Sequence, residues 1–236
     1  MKKTFDGRVV LVVGSRGLVG ESLCRFFLER GAKVVGCSRS QATIEPEHFH
    51  HYICDIGDEQ AVLKMFYLLD QAQMSPDSVI LSAGAFSTNM VALLSSREMD
   101  SILSTNVKGA LLIAREAVKR MTRKRFGRII ALSSISVSRT ERGAALYSMS
   151  KAALEQLIRV LPLEVGDYPV TFNAIEISLL DGGMARDLSK EARARLMDLL
   201  AVKRFCTPQD LCNAVEFFAK TESSYVTGQV LKLGFV

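Results

Sequence analysis

The 236-residue sequence predicts an α/β fold, a doubly wound parallel sheet of about seven strands with helices on both faces. Strand-like apolar runs alternate with longer helical patterns, which is typical of βαβ units. Runs such as VVLVV and SVIL lack polar alternation, as strands buried on both faces should. We therefore expect the strand order 3-2-1-4-5-6-7, with the ligand bound at the carboxyl ends of the strands. The length favours one domain over residues 1–236.

The predicted elements follow one another without a repeat or a low-complexity linker. The strand-like runs are, in order, RVVLVV, AKVVGCS, HYIC, SVILSAG, GRIIALSS, VTFNAIEI and GQVLKL. Helical patterns cover Asp58 to Gln73, Arg97 to Met121 and the stretch ALYSMSKAALEQLIRVLPLEV.

A glycine-rich turn, VVGSRGLVG, separates the first strand from the first helix. Its glycines are Gly14, Gly17 and Gly20. A dinucleotide site needs this context, because the backbone must turn tightly, approach a pyrophosphate and present free N–H groups at a helix N-terminus. A glycine-rich turn without a ligand is the alternative for such a motif in isolation.

Composition narrows the class of protein. The net charge of +5 is modest for this length, so it does not argue for nucleic-acid binding. No apolar run approaches the roughly 20 residues that span a bilayer, and MKKTFDGR leads into a strand, so we expect a soluble, cytoplasmic protein without a membrane partner. The cysteines are scattered without CxxC pairing, which favours reduced thiols: Cys24, Cys37, Cys54, Cys206 and Cys212.

Two clusters of titratable residues suggest binding only weakly. His48, His50 and His51 lie together in HFHH, where a predicted strand begins, so we expect a loop leading into a strand and no metal site. The basic segment, Arg115 to Arg128, ends a predicted helix. It is either a solvated helix end that complements the helix dipole or a docking surface for an acidic carrier.

Polar residues that could perform chemistry lie after the fourth strand. Tyr147 and Lys151 are four residues apart on one predicted helix, so both side chains lie on one face. An ammonium near a phenol favours the phenolate and brings its pKa toward the working range. Ser133 and Ser134 end the fifth predicted strand, and Asn106 lies inside a helix, where its amide can hold a backbone carbonyl or a water.

The glycine turn, CDI, SAG, NVKG, SS, YSMSK and YVTGQ occur in an order that resembles the short-chain dehydrogenase/reductase family over nearly the whole chain. The resemblance implies a catalytic tetrad of Asn106, Ser134, Tyr147 and Lys151. Ser134 would bind the substrate carbonyl oxygen, and Tyr147 would donate a proton to it. Lys151 would lower the tyrosine pKa and bind the nicotinamide ribose, while Asn106 would position a water.

The same resemblance assigns the cofactor site. Asp55 would contact adenine, and Ser82 to Gly84 would line the site beside the adenosine. After the second strand an acidic residue is missing, while Ser38 and Arg39 are present and Arg16 supplies a second cation, so we expect NADP(H). The residues expected to bind the cofactor are Gly14, Ser15, Arg16, Gly17, Leu18, Gly20, Ser38, Arg39, Asp55, Ile56, Ser82, Ala83, Gly84, Asn106, Tyr147, Lys151, Ile177 and Leu179.

Three features depart from the family pattern. The middle glycine, Gly17, comes one position early, with Leu18 at the usual site. Ile177 and Ser178 replace a Pro-Gly, and Gly182 stands where a threonine usually contacts the nicotinamide. The end LKLGFV replaces an Asp-Gly-Gly tail. We therefore expect the nicotinamide to be held by backbone groups or to be held weakly. The resemblance does not assign the oligomer contacts that the tail makes.

The function expected from the resemblance is NADPH-dependent reduction of a ketone to a secondary alcohol. A 3-oxoacyl group on an acyl carrier is the leading substrate, because Arg125 matches one carrier-docking position, although Tyr168 occupies the other. Residues 184–200 would form a substrate lid, and apolar helix faces suggest a homodimer or homotetramer. The alternatives are dehydrogenation of a sugar-derived or other small alcohol, and a non-catalytic dinucleotide-binding regulator.

Overall fold

The computed structural model describes residues 3–44, 47–182, 189–198 and 200–234. Its seven strands form one parallel sheet in the order β3-β2-β1-β4-β5-β6-β7, which confirms the predicted architecture. The strands are β1 Val9–Val13, β2 Lys33–Ser38, β3 Phe49–Ile53, β4 Ser78–Leu81, β5 Gly127–Ser134, β6 Val170–Ile177 and β7 Val230–Leu233.

Helices cover both faces of the sheet. They are α1 Leu18–Glu29, α2 Glu59–Gln71, α3 Ser96–Leu103, α4 Ala110–Lys124, α5 Ala145–Glu164, α6 Lys190–Asp198 and α7 Pro208–Ala219. The buried side chains of α2, α4 and α5 pack on one face, and those of α1 and α7 pack on the other. Each strand thus contributes alternate residues to two cores, as a doubly wound sheet requires.

The predicted helix from Arg97 to Met121 differs from the observed structure. It consists of α3, a π-helical segment at Ser104–Gly109, and α4. Hydrophobic periodicity continues through all three parts, so the pattern predicts helix throughout. A π-helical turn carries one more residue than an α-helical turn and is frequent at functional sites.

The basic segment is largely neutralised within the fold. Glu116, which is 4% exposed, forms ion pairs with Arg115, Lys119 and Arg120. The further ion pairs are Arg115 with Glu59, Arg120 with Asp70, and Lys124 with Asp77. Arg115 and Arg120 therefore hold α4 against α2, and Lys124 joins the end of α4 to the loop before β4.

The structure also bears on the cysteines, on membrane-spanning helices and on the predicted lid. All five cysteines are free and buried. Among the helices that the structure describes, none is both long and apolar enough to cross a bilayer. The predicted lid at 184–200 lies partly outside the described residues, and its described part contains α6.

Among the described residues, Arg128 is the largest fully buried side chain, with 1% exposure. Its guanidinium donates to the carbonyl groups of Gly127 at 2.8 Å and Lys220 at 3.1 Å. It also donates to Pro169 and Thr221, both at 3.3 Å. Burial lowers the pKa of Arg128 to about 10. Arg128 therefore joins the start of β5 to the loops after α5 and α7 through charge-assisted hydrogen bonds.

We predict that Arg128→Met lowers the free energy of unfolding by about 2–4 kcal/mol, because buried carbonyl groups lose their donors. Arg123→Met, on the exposed end of α4, should change it by less than about 0.5 kcal/mol. Urea denaturation of both variants measures the difference. Equal midpoints would contradict the structural role of Arg128.

Candidate active site

A cavity of about 510 Å³ opens at the carboxyl ends of β1, β2 and β4. This is the sheet edge at which open parallel sheets bind ligands. The residues that line it are Gly14, Arg16, Gly17, Cys37, Ser38, Arg39, Ser40, Thr43, Cys54, Asp55, Ile56, Ser82, Ala83, Gly84 and Thr105.

The glycine turn forms one wall because two of its glycines have no space for a side chain. Gly14 has φ +88°, and a Cβ there would lie 2.7 Å from the backbone of Ala83. A Cβ on Gly20 would overlap the carbonyl oxygen of Gly14 and lie 2.7 Å from the Cα of Ser15. A Cβ on Gly17 would meet nothing closer than 3.9 Å. The turn therefore depends on Gly14 and Gly20 sterically, and not on Gly17.

Helix α1 begins against this turn with its N-terminal N–H groups available. Gly17 is the N-cap and provides no side chain to accept from them. A helix N-terminus without a capping side chain, next to glycines that admit close approach, is suited to a phosphate group. The cradle therefore fits the pyrophosphate of a dinucleotide.

The opposite walls of the cavity are loops held in place by side-chain hydrogen bonds. Asp55 Oδ1 accepts a hydrogen bond from Gly57 N at 3.0 Å, which fixes the turn after β3. Ser82 Oγ donates to the carbonyl oxygen of Val13 at 2.6 Å, which ties the loop after β4 to β1. Both bonds hold loop backbone at the cavity edge.

Two arginines lie where the second strand ends. Arg16 Nη1 donates to Ser40 Oγ at 2.9 Å, so the turn reaches across to the loop after β2. Arg39 is exposed and also lines the cavity. Asp55 is the single acidic side chain among the described residues that line it. This end of the cavity therefore carries a positive local charge.

The polar residues predicted from the sequence meet beside Gly84. Ser134 ends β5, and its hydroxyl is near enough to Tyr147 on α5 to oppose, in part, the rise in the pKa of the phenol that burial causes. Lys151 Nζ lies 5.8 Å from the ring centroid of Tyr147 and donates to the carbonyl oxygen of Leu132 at 2.8 Å. A Cβ on Gly84 would lie 3.3 Å from Lys151 Nζ and 3.7 Å from Asn106 Oδ1.

Asn106 is placed by the π-helical segment and is 2% exposed. Its Oδ1 accepts from Ala85 N at 2.7 Å, and its Nδ2 donates to Ala85 O and to Ser150 Oγ, both at 2.9 Å. Both amide hydrogens are thus used within the protein. Asn106 fixes the backbone beyond Gly84 relative to α5.

Electrostatics at Tyr147 differ from the sequence-based expectation. The pKa of Tyr147 is raised by burial, and the opposing contribution comes from the hydrogen bond to Ser134 and not from Lys151. Burial also lowers the pKa of Lys151 to about 8. Lys151 does not lower the Tyr147 pKa as expected because its ammonium is removed from water and donates to the Leu132 carbonyl oxygen instead of to the phenol. The phenol therefore keeps its proton at neutral pH.

Other expected residues lie outside the cavity lining. Ser15 is 3% exposed, and its Oγ packs beneath the turn, 2.7 Å from where a Cβ of Gly36 would stand. Leu18 is 42% exposed at the start of α1, and Ile177 packs against the core on the α1 side. Leu179 packs on Leu200 and Phe205.

Sequence reasoning missed lining residues as well. Ser40 and Thr43 follow Arg39 in the loop after β2, and Thr105 comes directly before Asn106. The position of Ser40, next to Ser38 and Arg39, is a signal that could have found it. Ser133 points away from the site, since its Oγ donates to Glu155 Oε1 at 2.5 Å.

A glycine turn suited to phosphate, beside a partly buried Asn-Ser-Tyr-Lys group, is the arrangement expected of a dinucleotide-dependent oxidoreductase. A family model described as Enoyl-(Acyl carrier protein) reductase matches residues 15–233, and the chain belongs to the short-chain dehydrogenase/reductase family. Members of this family are oxidoreductases that act on CH–OH and C=O groups.

Relatives and solved structures match almost the full length. The chain is 26% identical to the 3-oxoacyl-[acyl-carrier-protein] reductase FabG of Rickettsia typhi, over 96% of this chain and 95% of that protein. It is 25% identical to FabG of Escherichia coli K12, over 96% of both chains. A short-chain dehydrogenase from Leptospira borgpetersenii with bound NAD⁺ has a TM-score of 0.92 at 22% identity, covering 98% of this chain and 94% of that one. A 4-hydroxyisoleucine dehydrogenase complexed with NADH has a TM-score of 0.88 at 21% identity, covering 97% and 98%.

We predict that Gly20→Ala lowers the melting temperature by several degrees, because the new methyl group overlaps the Gly14 carbonyl. Overpacking of this kind costs about 1–3 kcal/mol, which corresponds to roughly 2–4 °C per kcal/mol at this chain length. Gly17→Ala is the matched control, since its methyl group enters open space. Scanning calorimetry compares them, and a larger loss for Gly17→Ala would refute this account of the turn.

Proposed function

We propose that the protein reduces a ketone to a secondary alcohol with NADPH. The observation that carries the proposal is that Lys151 and Asn106 meet at Gly84, which lines the cavity suited to a dinucleotide, with Tyr147 beside Lys151 and Ser134 beside Tyr147. When bound there, the nicotinamide dinucleotide supplies the hydride. Gly14, Gly20 and the start of α1 would hold its pyrophosphate, and Asp55, Ile56 and the Ser82–Gly84 loop its adenosine.

Tyr147 holds the proton that a reduced carbonyl oxygen needs. Its pKa is raised by burial, so the phenol is the protonated form at neutral pH and acts as the general acid. When a substrate is bound, the Ser134 hydroxyl would donate its single hydrogen to the same carbonyl oxygen. Two donors aimed at one oxygen stabilise the negative charge that develops on it.

Lys151 provides a buried positive charge next to the phenol. With a pKa of about 8 it remains mostly protonated at pH 7, 5.8 Å from the tyrosine ring, and it would bind the ribose of the nicotinamide nucleotide. Asn106 supports this arrangement by binding both backbone groups of Ala85 and the hydroxyl of Ser150. It holds the lysine-bearing helix against the loop at Gly84.

Phe86 forms a wall at the substrate side of the site. Its ring meets that of Tyr147 edge to face, with centroids 4.8 Å apart, and Phe86 is 48% exposed. An apolar group beside the reacting carbonyl would pack on this ring. This supports a ketone with an apolar substituent, such as a 3-oxoacyl chain.

Carrier docking is supported by the names of the relatives and by one contact. Arg125 is exposed at the end of α4, and its guanidinium lies 5.8 Å from the ring centroid of Tyr168. The two positions that the resemblance links to docking are therefore adjacent. We propose a carrier-bound 3-oxoacyl thioester as the substrate, with a homodimer or homotetramer as the assembly.

The preference for NADP(H) is argued from this chain alone, because likeness at 21–22% identity indicates the fold only. Arg16 and Arg39 border the end of β2, and the described lining there has no carboxylate. A 2′-phosphate would be attracted to two guanidinium groups, whereas a free ribose hydroxyl has no acid to bind.

We predict that Tyr147→Phe slows NADPH oxidation at least about a hundredfold, because a general acid contributes that much or more. A panel of 3-oxoacyl thioesters, free and carrier-bound, and small ketones provides the assay. NADPH binding, followed by fluorescence, should be unchanged. Full turnover by the variant would refute the assignment, and NADPH binding without oxidation of any ketone by the wild type would favour the regulator.

We predict that Arg39→Ala and Arg16→Ala each weaken NADPH binding by roughly tenfold or more, the effect of losing one charge-assisted hydrogen bond. The dissociation constant of NADH should change little. Lys33→Ala is the control, since Lys33 is exposed at the opposite end of β2. Tighter binding of NADH than of NADPH by the wild type would overturn the preference.

A further inference from the structure

His51 is a half-buried residue of β3 that the proposed reaction does not use. It pairs in register with Gly36 of β2, and its Nε2 lies 3.0 Å from Ser38 Oγ. Ser38 Oγ also donates to the carbonyl oxygen of Ser40 at 2.7 Å. A carbonyl can only accept and a hydroxyl has one hydrogen, so His51 Nε2 must carry the proton and donate to Ser38.

This tautomer leaves the other ring nitrogen without a partner. Nδ1 of His51 is buried and makes no hydrogen bond in the described structure. Burial lowers the pKa of His51, and no charged group contributes to that shift. The ring is therefore neutral at pH 7 and has one position at which it can take up a proton.

The hydrogen bonds of His51 lead directly to the cation-rich end of the cavity. Ser38, Arg39 and Ser40 line the cavity, and Ser40 Oγ accepts from Arg16. The chain of contacts therefore runs from His51 through Ser38 to Ser40 and then to Arg16. His51 fixes the loop that presents Arg39 and Ser40.

Charged groups near β3 are accounted for. Glu21 on α1 is bound by Arg25 and Thr43, and Asp55 accepts from Gly57 N. Among the described residues, the other charged or titratable groups on β2, β3 and the segments next to them are Lys33, Cys37, Arg39, Glu47, His48, His50, Tyr52, Cys54 and Asp58, and Arg16 lies in the glycine turn. Two of these, Arg16 and Arg39, line the cavity, and a bound phosphate would be attracted to both.

We propose that His51 is a positioning and specificity-determining residue for the 2′-phosphate of NADP(H), and that it takes up a proton when this phosphate binds. This inference rests on the proposed NADP(H) preference. The neutral ring orders the loop through Ser38. A phosphate dianion next to the loop favours the imidazolium. At pH values where histidine titrates, the complex therefore binds a fraction of a proton more, on average, than the free protein.

The sign of the pH dependence follows from linkage. If the phosphate raises the pKa of His51, the complex holds its extra proton below the raised pKa and loses it above. NADPH binding should then weaken as the pH rises from about 6 to 8.5, by roughly three- to tenfold, which a shift of half to one pKa unit produces. NADH lacks the 2′-phosphate and should bind equally at each pH.

Two variants separate positioning from charge. His51→Gln keeps an N–H donor for Ser38 but cannot ionise, so NADPH binding should lose the pH slope that His51 adds and keep most of its strength at high pH. His51→Leu loses the donor as well, and should bind NADPH more weakly than His51→Gln at every pH. His50→Gln is the matched control, because His50 is exposed on the adjacent position of the same strand.

Titration calorimetry with NADPH and NADH, in two buffers of different ionisation enthalpy at about pH 6.5, measures the proton uptake directly. We expect uptake with NADPH in the wild type and in His50→Gln, and less in His51→Gln. Equal uptake and equal pH slopes in wild type and His51→Gln would overturn the role of His51. NADPH binding no tighter than NADH in the wild type would instead refute the proposed cofactor preference.

Discussion

The amide of Asn106 is the contact on which the site depends. Its three hydrogen bonds join the loop after β4 to α5, and thereby set Gly84 against the side chain of Lys151. The π-helical segment holds one residue more per turn than an α-helix, and this changes the direction in which its side chains point. In the π-helical segment Asn106 points inward. The hydrogen bonds of the buried Asn106 amide offset the unfavourable free energy of this π-helical turn. The π-helical turn, Asn106 and the lysine are thus one structural unit.

The sequence predicted the sheet and its order well because buried parallel strands are distinct from amphipathic helices. VVLVV in β1 and SVIL in β4 have no polar position, and the crossovers between such strands have one favoured hand. The π-helical segment could not be predicted, since hydrophobic periodicity reports which face is buried and not which carbonyl each N–H contacts. The same limit applies to the steric role of Gly20, which depends on the carbonyl of Gly14 across the turn.

Charge was harder to interpret from sequence than apolar pattern. The partners of Arg115 and Arg120 include Glu59 and Asp70, which are distant in sequence and lie on another helix. Arg128 belongs to the same basic run, yet it is buried among carbonyl groups. The density of basic residues in the sequence therefore suggested an exposed basic surface. In the folded protein these residues instead form ion pairs and hydrogen bonds with groups that are distant in sequence. Within the site the effect is similar: burial, which no short motif encodes, sets the pKa direction of Tyr147 and Lys151.

The loops on either side of Tyr147 are in tight contact. Gly143 has φ +84°, and a side chain there would overlap the carbonyl oxygen of Thr88. The loop after β5 therefore rests directly on the loop that carries Phe86, and neither can shift without the other. Changes in substrate range that arise in one loop must be accommodated in its neighbour. Substitutions in the two loops should consequently show strong epistasis, so that specificity changes through paired replacements and seldom through single ones.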